Sequence, residues 1–283
     1  MTKVKFSWMM LFVVCWLSLV VIGCNADSAS QTESTLIKNA NAEKEASSVI
    51  TLHPDIKSLT NDFRSFWQYW FDSVDLSRNF IPLDLDNKQI SKSAFLKKLN
   101  TGKYLPVIIQ IHIEQYTYQL KPLPKNAARN IASTIKQMTT EAIFRLEQEG
   151  SELPKFSFKA LNGQTYTKEN CKGKILVLNT WYIRCGACKA EMPDLNGLVA
   201  QYQNRNDIVF LGLCTDPWEP VKEFMRKTKF DYLVVPDAND YVGNLLPFQG
   251  FPTQVIVDKQ GKIVKIMSTY KSLKRELSKL ADS

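Results

Sequence analysis

Residues 174–193, KILVLNTWYIRCGACKAEMP, carry the reading of the fold. From Ile175 to Trp181 the run is nearly continuous in apolar residues, the pattern of a strand buried on both faces. A helical pattern follows from Cys188 through Leu195, Leu198 and Tyr202, with Pro193 inside it. Between strand and helix lies Cys185-Gly186-Ala187-Cys188. A sulfur at that junction meets the unsatisfied N–H groups of the first helical turn and the positive end of the helix dipole, which favour thiolate over thiol. A thiolate is the attacking species in disulfide exchange, and a second thiol three residues on can resolve the mixed disulfide. Cys185 is therefore the candidate nucleophile and Cys188 the resolving thiol. Half of a zinc site and a static bridge are the alternatives. Zinc normally takes a second Cys/His pair, and the two histidines, His53 and His112, have no partner at ligand spacing, so no metal or cofactor is expected.

The pattern extends on both sides. Upstream, Phe156 to Phe158, the Asn162-Gly163 turn and Thr165 to Thr167 read as a hairpin. Downstream come a second buried strand, Ile208 to Thr215, a helix around Glu219 to Thr228 and a short strand, Tyr232 to Val235. Strands Gln254 to Val257 and Ile263 to Met267 follow, joined through Asp258-Lys259-Gln260-Gly261, before a closing amphipathic helix through Leu273, Leu277 and Leu280. The expected fold class is α/β, with a mixed sheet flanked by helices over residues 151–283.

Residues 153–283 resemble the thioredoxin fold and, within it, the TlpA/ResA-like thiol:disulfide oxidoreductases of the redoxin type. The matching residues are Lys172-Gly173-Lys174, Asn179-Thr180-Trp181, Cys185 through Pro193, Gly250-Phe251-Pro252-Thr253 and Asp258 through Ile263. The resemblance implies a cis Phe251–Pro252 bond in a loop facing the sulfurs, with the Phe251 backbone open to an extended peptide. It puts Pro252 and Glu191 with Cys185 and Cys188 in the catalytic set, and Phe251, Arg184 and Trp181 at the substrate-binding surface. Glu191 matches a glutamate that the ResA-like branch places beside its cysteines. Its expected role is proton transfer to or from Cys188, with its pKa raised by partial burial; an exposed glutamate favoured only by the helix dipole is the alternative. Asn179 stands where thioredoxin has a buried Asp, Arg184 where it has Trp, and Ala187 where Pro is common. Arg184 adds positive charge beside the nucleophile, which lowers a thiol pKa. Cys171 and Cys214 fall at opposite ends of neighbouring parallel strands, about 20 Å apart for six residues at ~3.3 Å each, so both are expected to be free.

The amino terminus reads as an address. Lys3 and Lys5 precede an apolar run from Phe6 to Val21, then Val21-Ile22-Gly23-Cys24. A run this short falls below the ~20 residues of a spanning helix and reads as a secretory signal, residues 1–23. Its ending resembles a bacterial lipobox, which implies a lipid on Cys24, an anchor in the bilayer and a place in the cell envelope facing the periplasm or exterior. Residues 24–50, rich in Ser, Ala, Asn and Glu and without aromatics, read as a flexible tether.

Residues 51–150 read as a smaller mixed α/β region of unassigned role. Phe63, Trp67, Trp70 and Val74 recur at helical spacing, either as core or as a docking face. Val107 to Leu120 is strand-like with a change of phase near Gln115, and Ala127 to Glu149 reads as a helix.

With 45% hydrophobic and 23% charged residues the chain is ordinary globular protein, which excludes a disordered or multi-span membrane chain. The net charge of +8 is spread without a basic stripe, so no nucleic-acid partner is expected. The leading function is a membrane-tethered thiol:disulfide oxidoreductase that reduces extracytoplasmic disulfide-bearing proteins and is itself reduced by a membrane dithiol carrier. By resemblance, its tasks include preparing apocytochrome c cysteines for haem. Two other readings stay open. One is a peroxiredoxin-like antioxidant, although no Pro-x-x-x-Thr-x-x-Cys pattern precedes either cysteine; the other is a partner-binding lipoprotein with a subsidiary redox module.

Overall fold

Alternation along one strand organises the carboxy-terminal half. In β7 (Ile175–Trp181) every residue is buried; Ile175, Val177 and Trp181 enter one core while Leu176 and Leu178 enter another. Because successive side chains point to opposite faces, such a strand needs a layer on each side. β7 is the centre of a five-stranded sheet ordered β11-β10-β7-β8-β9, with β8 (Ile208–Cys214), β9 (Leu233–Val235), β10 (Thr253–Val257) and β11 (Ile263–Met267). β7, β8 and β9 run parallel, and β10 is antiparallel to both β7 and β11. One core holds Leu195, Leu198, Val221, Leu273 and Leu277; the other holds Phe156, Phe158, Val242 and Leu245. The expected hairpin is present as β5 (Ser157–Lys159) and β6 (Thr165–Thr167).

The computed structural model describes residues 49–112, 115–246 and 250–281. The leader 1–23, Cys24 and the tether as far as residue 48 lie outside the described residues, as do Ile113 and Glu114. The amino-terminal part is built on a second sheet, ordered β1-β3-β4-β2, from β1 (Val49–Thr51), β2 (Phe80–Leu83), β3 (Tyr104–His112) and β4 (Gln115–Pro122). β1 begins at Val49, inside the last residues assigned to the tether. The phase change near Gln115 is a strand reversal, since His112 lies opposite Gln115, and a register shift near Ile109 moves the apolar set. Helices α1 (Ile56–Thr60), α2 (Phe63–Ser73), α3 (Lys92–Leu99) and α4 (Ile131–Gln148) surround this sheet in sequence. Asn130, with φ of 77°, delays the start of α4 beyond Ala127.

The buried face of α2 is rotated from the one that the spacing of Phe63, Trp67, Trp70 and Val74 predicts. Phe66, Tyr69 and Trp70 are buried, whereas Phe63 and Trp67 are each 40% exposed and Phe71 is 78% exposed. Two tyrosines decide the rotation. Tyr69 Oη donates to Pro106 O and accepts from Ile108 N, while Tyr118 Oη donates to Ser73 O and accepts from Asp75 N. Buried hydroxyls need such partners.

Val49 to Ser283 forms a single compact unit in which both sheets share a boundary. Gly150 N and Ile263 N exchange bonds with Ile263 O and Ser151 O, extending the edge of β11 into the linker after α4. Lys265, 4% exposed, reaches across from β11 to Glu149 at 3.0 Å and to Asn79 Oδ1 at 3.2 Å. A buried ammonium is tolerable only with such partners.

Candidate functional site

Cys185 and Cys188 are joined by a disulfide at the start of α5 (Gly186–Gln201). Cys185 occupies the N-cap position with extended backbone, and its Sγ accepts from the Cys188 N–H at 3.0 Å. The first turn thus directs an N–H donor at the first sulfur, the arrangement that stabilises a thiolate there once the bond is reduced. Both sulfurs belong to the core beneath α5 and are nearly buried, at 5% for Cys185 and 2% for Cys188. Pro193 lies within α5 and offers no N–H to the Lys189 carbonyl.

The loop from Gly250 to Thr253 runs beside the segment that delivers Cys185. The Phe251–Pro252 peptide is cis, as the resemblance implies. β10 pairs with β7 so that Thr253 lies opposite Thr180. Thr253 N donates to Thr180 Oγ1 at 3.2 Å, and Thr253 Oγ1 donates to Gly250 O at 2.5 Å, which ties the loop to the strand leading to the cysteines. The Phe251 ring meets Tyr182 edge-on at 5.2 Å between centroids and packs against the core holding both sulfurs. Arg184 is exposed immediately before Cys185.

Glu191 is half-buried. Its Oε1 accepts from Tyr270 N at 3.0 Å and its Oε2 from Gln254 Nε2 at 3.3 Å. Burial raises its pKa; these two donors offset part of the effect and the neighbouring Asp194 carboxylate adds to it. Tyr270 opens α8 (Tyr270–Ala281), so Glu191 joins the active-site helix to the start of the last one.

Trp181 requires a correction. Expected at the substrate-binding surface, it has no exposed area and packs against Phe224 and Phe230, at 5.6 and 5.8 Å between ring centroids. Its indole lies over Gly212 of β8, where a Cβ would come within 3.2 Å of Trp181 Nε1. Trp181 supports the strand end from within and does not touch a substrate in this conformation.

Two features lay beyond the sequence reading. Asp216, in the loop after β8, accepts from Ile183 N at 2.6 Å and so fixes the turn entering Cys185; its spacing of 31 residues from that cysteine gave no local signal. A helix, α7 (Asn239–Leu245), follows β9, and α6 (Trp218–Met225) precedes it. Cys171 and Cys214 are free and buried in different cores. Burial, with the nearby Asp216 and Asp237 carboxylates, pushes the Cys214 thiol up to about 12, which keeps it protonated. Among the described residues no cluster of three His, Cys, Asp or Glu could hold a metal ion, and no helix is long and apolar enough to cross a membrane.

A dithiol pair at a helix start, approached by a cis-proline loop across a mixed α/β sheet, defines the thioredoxin-fold thiol–disulfide oxidoreductases as a class. Comparison with known proteins narrows this. The family model described as Redoxin matches residues 148–282. Thiol-disulfide oxidoreductase ResA of Bacillus cereus is 30% identical over 119 residues, covering 42% of this chain and 68% of the relative. Thioredoxin-like protein YneN of Bacillus subtilis is 30% identical over 122 residues, covering 42% and 71%. Thiol-disulfide oxidoreductase ResA of Geobacillus thermodenitrificans is 29% identical over 134 residues, covering 46% and 77%. Among solved structures, the thioredoxin domain of a thiol-disulfide oxidoreductase from Bacteroides vulgatus is 26% identical with a TM-score of 0.41, covering 46% of this chain and 96% of that one. A thiol:disulfide interchange protein from Bacteroides sp. is 25% identical with a TM-score of 0.42, covering 48% and 91%. The chain belongs to the ResA-like thiol-disulfide oxidoreductases of the redoxin family.

Proposed function

We propose that this protein is a lipid-anchored reductase of disulfides in proteins outside the cytoplasm, acting through the Cys185–Cys188 dithiol. The observation that carries the reading is the Cys188 N–H directed at Cys185 Sγ at the head of α5, beside the cis-proline loop. In the reduced protein, Cys185 thiolate attacks one sulfur of a substrate disulfide. That S–S bond breaks, a mixed disulfide forms, and the departing substrate thiolate takes a proton. Cys188 then loses its proton to the Glu191 carboxylate and attacks Cys185 Sγ. The mixed disulfide breaks, the second substrate sulfur leaves as thiolate, and two electrons have passed from the pair to the substrate. Pro252 and Phe251 border the path of an incoming extended segment, and Arg184 supplies positive charge to the thiolate.

The Lys3/Lys5 leader and the Ile22-Gly23-Cys24 ending support secretion and lipidation at Cys24, which would hold the enzyme at the envelope membrane. A dithiol carrier in that membrane would restore the reduced pair, and an apocytochrome c disulfide, whose freed thiols would then take haem, is among the substrates the family likeness supports. Titration of residues 49–283 against dithiothreitol and glutathione couples, with the pair read by mass after thiol trapping, tests the direction of flow. A midpoint below about −250 mV supports a reductase; one near −120 mV makes the protein an oxidant, and no reversible pair overturns the reading. Fatty-acid labelling of the full chain that survives Cys24→Ser would overturn the anchor.

A further inference from the structure

The amino-terminal region reaches the active-site machinery through the head of α8. Thr269 caps that helix: its Oγ1 accepts from Ser272 N at 3.3 Å, and its carbonyl accepts from Leu273 N at 3.1 Å. Thr269 Oγ1 in turn donates to Ser272 Oγ at 3.2 Å. The Ser272 hydroxyl, 2% exposed as a residue, spends its own proton on Asp75 Oδ2 at 2.6 Å. One residue after the cap, Tyr270 N–H donates to Glu191. Two carboxylates from different parts of the chain therefore meet the same helix start, Glu191 directly and Asp75 through a serine. Both are placed where the helix dipole favours negative charge.

We propose that Asp75 is a positioning residue for Glu191: through Ser272 it fixes the first turn of α8, whose Tyr270 N–H holds the Glu191 carboxylate. The proposal rests on the reading of Glu191 as proton acceptor for Cys188. Asp75 is itself held in place, because Ser77 N and Ser77 Oγ donate to its Oδ1 and Arg275 lies 3.8 Å from its Oδ2. Burial opposes its charge, but these groups hold its carboxyl below the ordinary range. Other charged and titratable groups that feel Asp75 are Arg145 from α4, Lys92 from α3 and Tyr118 from β4. Those near Glu191 are Asp194 on its own helix, Tyr232 before β9 and Tyr270 on α8, with the Gln254 amide from β10. When Asp75 is removed, Ser272 loses its acceptor and the turn is freed. The N–H that favours the charged form of Glu191 is then less well held, so ionisation moves to higher pH.

The test is the pH dependence of the second step: the rate at which a mixed disulfide formed on Cys185 of residues 49–283 under saturating model disulfide is resolved by Cys188, read by mass after acid quenching. Wild type should show a limb rising with pH that Glu191→Gln removes. Asp75→Ala should move that limb upward by roughly 0.5–1 pH unit, Asp75→Asn should restore it because it keeps an acceptor for Ser272, and Asp75→Ala should add nothing in the Glu191→Gln background. Ser272→Ala breaks the same bond from the other side and serves if Asp75→Ala does not fold. An unmoved limb in folded Asp75→Ala and Ser272→Ala overturns the proposal alone. A limb that survives Glu191→Gln overturns the Glu191 reading beneath it.

Discussion

Adding one methyl group at Gly212 tests the packing that supports the active-site strand. Gly212 lies in β8 opposite Asn179, on the face where Trp181 turns inward. A Cβ there would stand 2.8 Å from Phe230 Cε1, 3.2 Å from Trp181 Nε1 and 3.5 Å from Tyr232 Cβ. The nearest neighbour is a ring atom that cannot swing aside. Phe230 is stacked on Tyr232 at 4.8 Å between centroids and set edge-on to Trp181 at 5.8 Å. Overpacking of this kind costs about 1–3 kcal/mol. Replacing glycine in extended backbone returns roughly 0.5–1 kcal/mol by restricting the unfolded chain. The net expectation for Gly212→Ala is a loss of about 1–2 kcal/mol, which lowers Tm by roughly 2–8 °C in a unit of this size. Calorimetry on residues 49–283, both proteins oxidised, measures it. An unchanged or higher Tm would mean that the rings yield, and that Trp181 is not wedged as described.

Further expectations follow from the same geometry. Cys188→Ser should trap substrate on Cys185 as a mixed disulfide visible by mass, and Cys185→Ser should trap none; the reverse pattern would exchange their roles. Burial raises the Glu191 pKa, so its contribution to stability is present below the ordinary value near 4.5 and is lost as pH rises through the folded value. Glu191→Gln should therefore gain in Tm relative to wild type between acid and neutral pH, and a gap constant with pH refutes this. Glu149→Ala leaves the Lys265 ammonium, 6% exposed in its side chain, with Asn79 as its remaining described partner. Breaking a buried pair from one side costs about 3–5 kcal/mol, and the partial exposure of Glu149 reduces this to roughly 2–3, measurable by urea unfolding. Iodoacetamide at pH 8 should leave native Cys214 unlabelled and modify it in the unfolded chain, because its thiol is pushed up to about 12.

The redox half was legible because its signals are local. Ile175 to Trp181 and Ile208 to Cys214 are apolar without alternation, which marks strands covered on both faces, and both are buried throughout. The cysteine spacing predicts a sulfur at a helix start, and Cys185 is the N-cap. Failures came where partners are distant in sequence. The resemblance implies a surface place for Trp181, yet its side chain follows the alternation of β7 into the core. Asp216 holds the loop at Ile183 through a single backbone N–H, a bond that leaves no trace in spacing. Helix α7 is short, contains Gly243 and has no side-chain cap, so periodicity over its seven residues carries little weight.

The amino-terminal region shows the limit of periodicity most clearly. In α2 nearly every turn offers an aromatic, so hydrophobic spacing permits more than one rotation, and hydroxyl groups select among them. Tyr69 must find Pro106 O and Ile108 N, so it turns inward and carries Phe66 and Trp70 with it, leaving Phe63, Trp67 and Phe71 outside. The next residues down the chain, Ser73 and Asp75, meet Tyr118, and Asp75 then meets Ser272 nearly two hundred residues later. Satisfying buried hydroxyls thus sets the phase of one helix and, through Asp75, connects it with the last helix of the redox half. On the proposed link, a region without redox chemistry of its own is coupled to the Glu191 carboxylate of α5, and replacing Tyr69 by Phe should perturb that coupling as well as the local core. Tyr69→Phe leaves Ile108 N without its acceptor inside the sheet, a cost of about 1–3 kcal/mol. If the rotation of α2 is set as argued, the variant should also lose part of the Asp75 effect on the pH profile; a profile identical to wild type in a folded but destabilised Tyr69→Phe would confine the tyrosine to local packing.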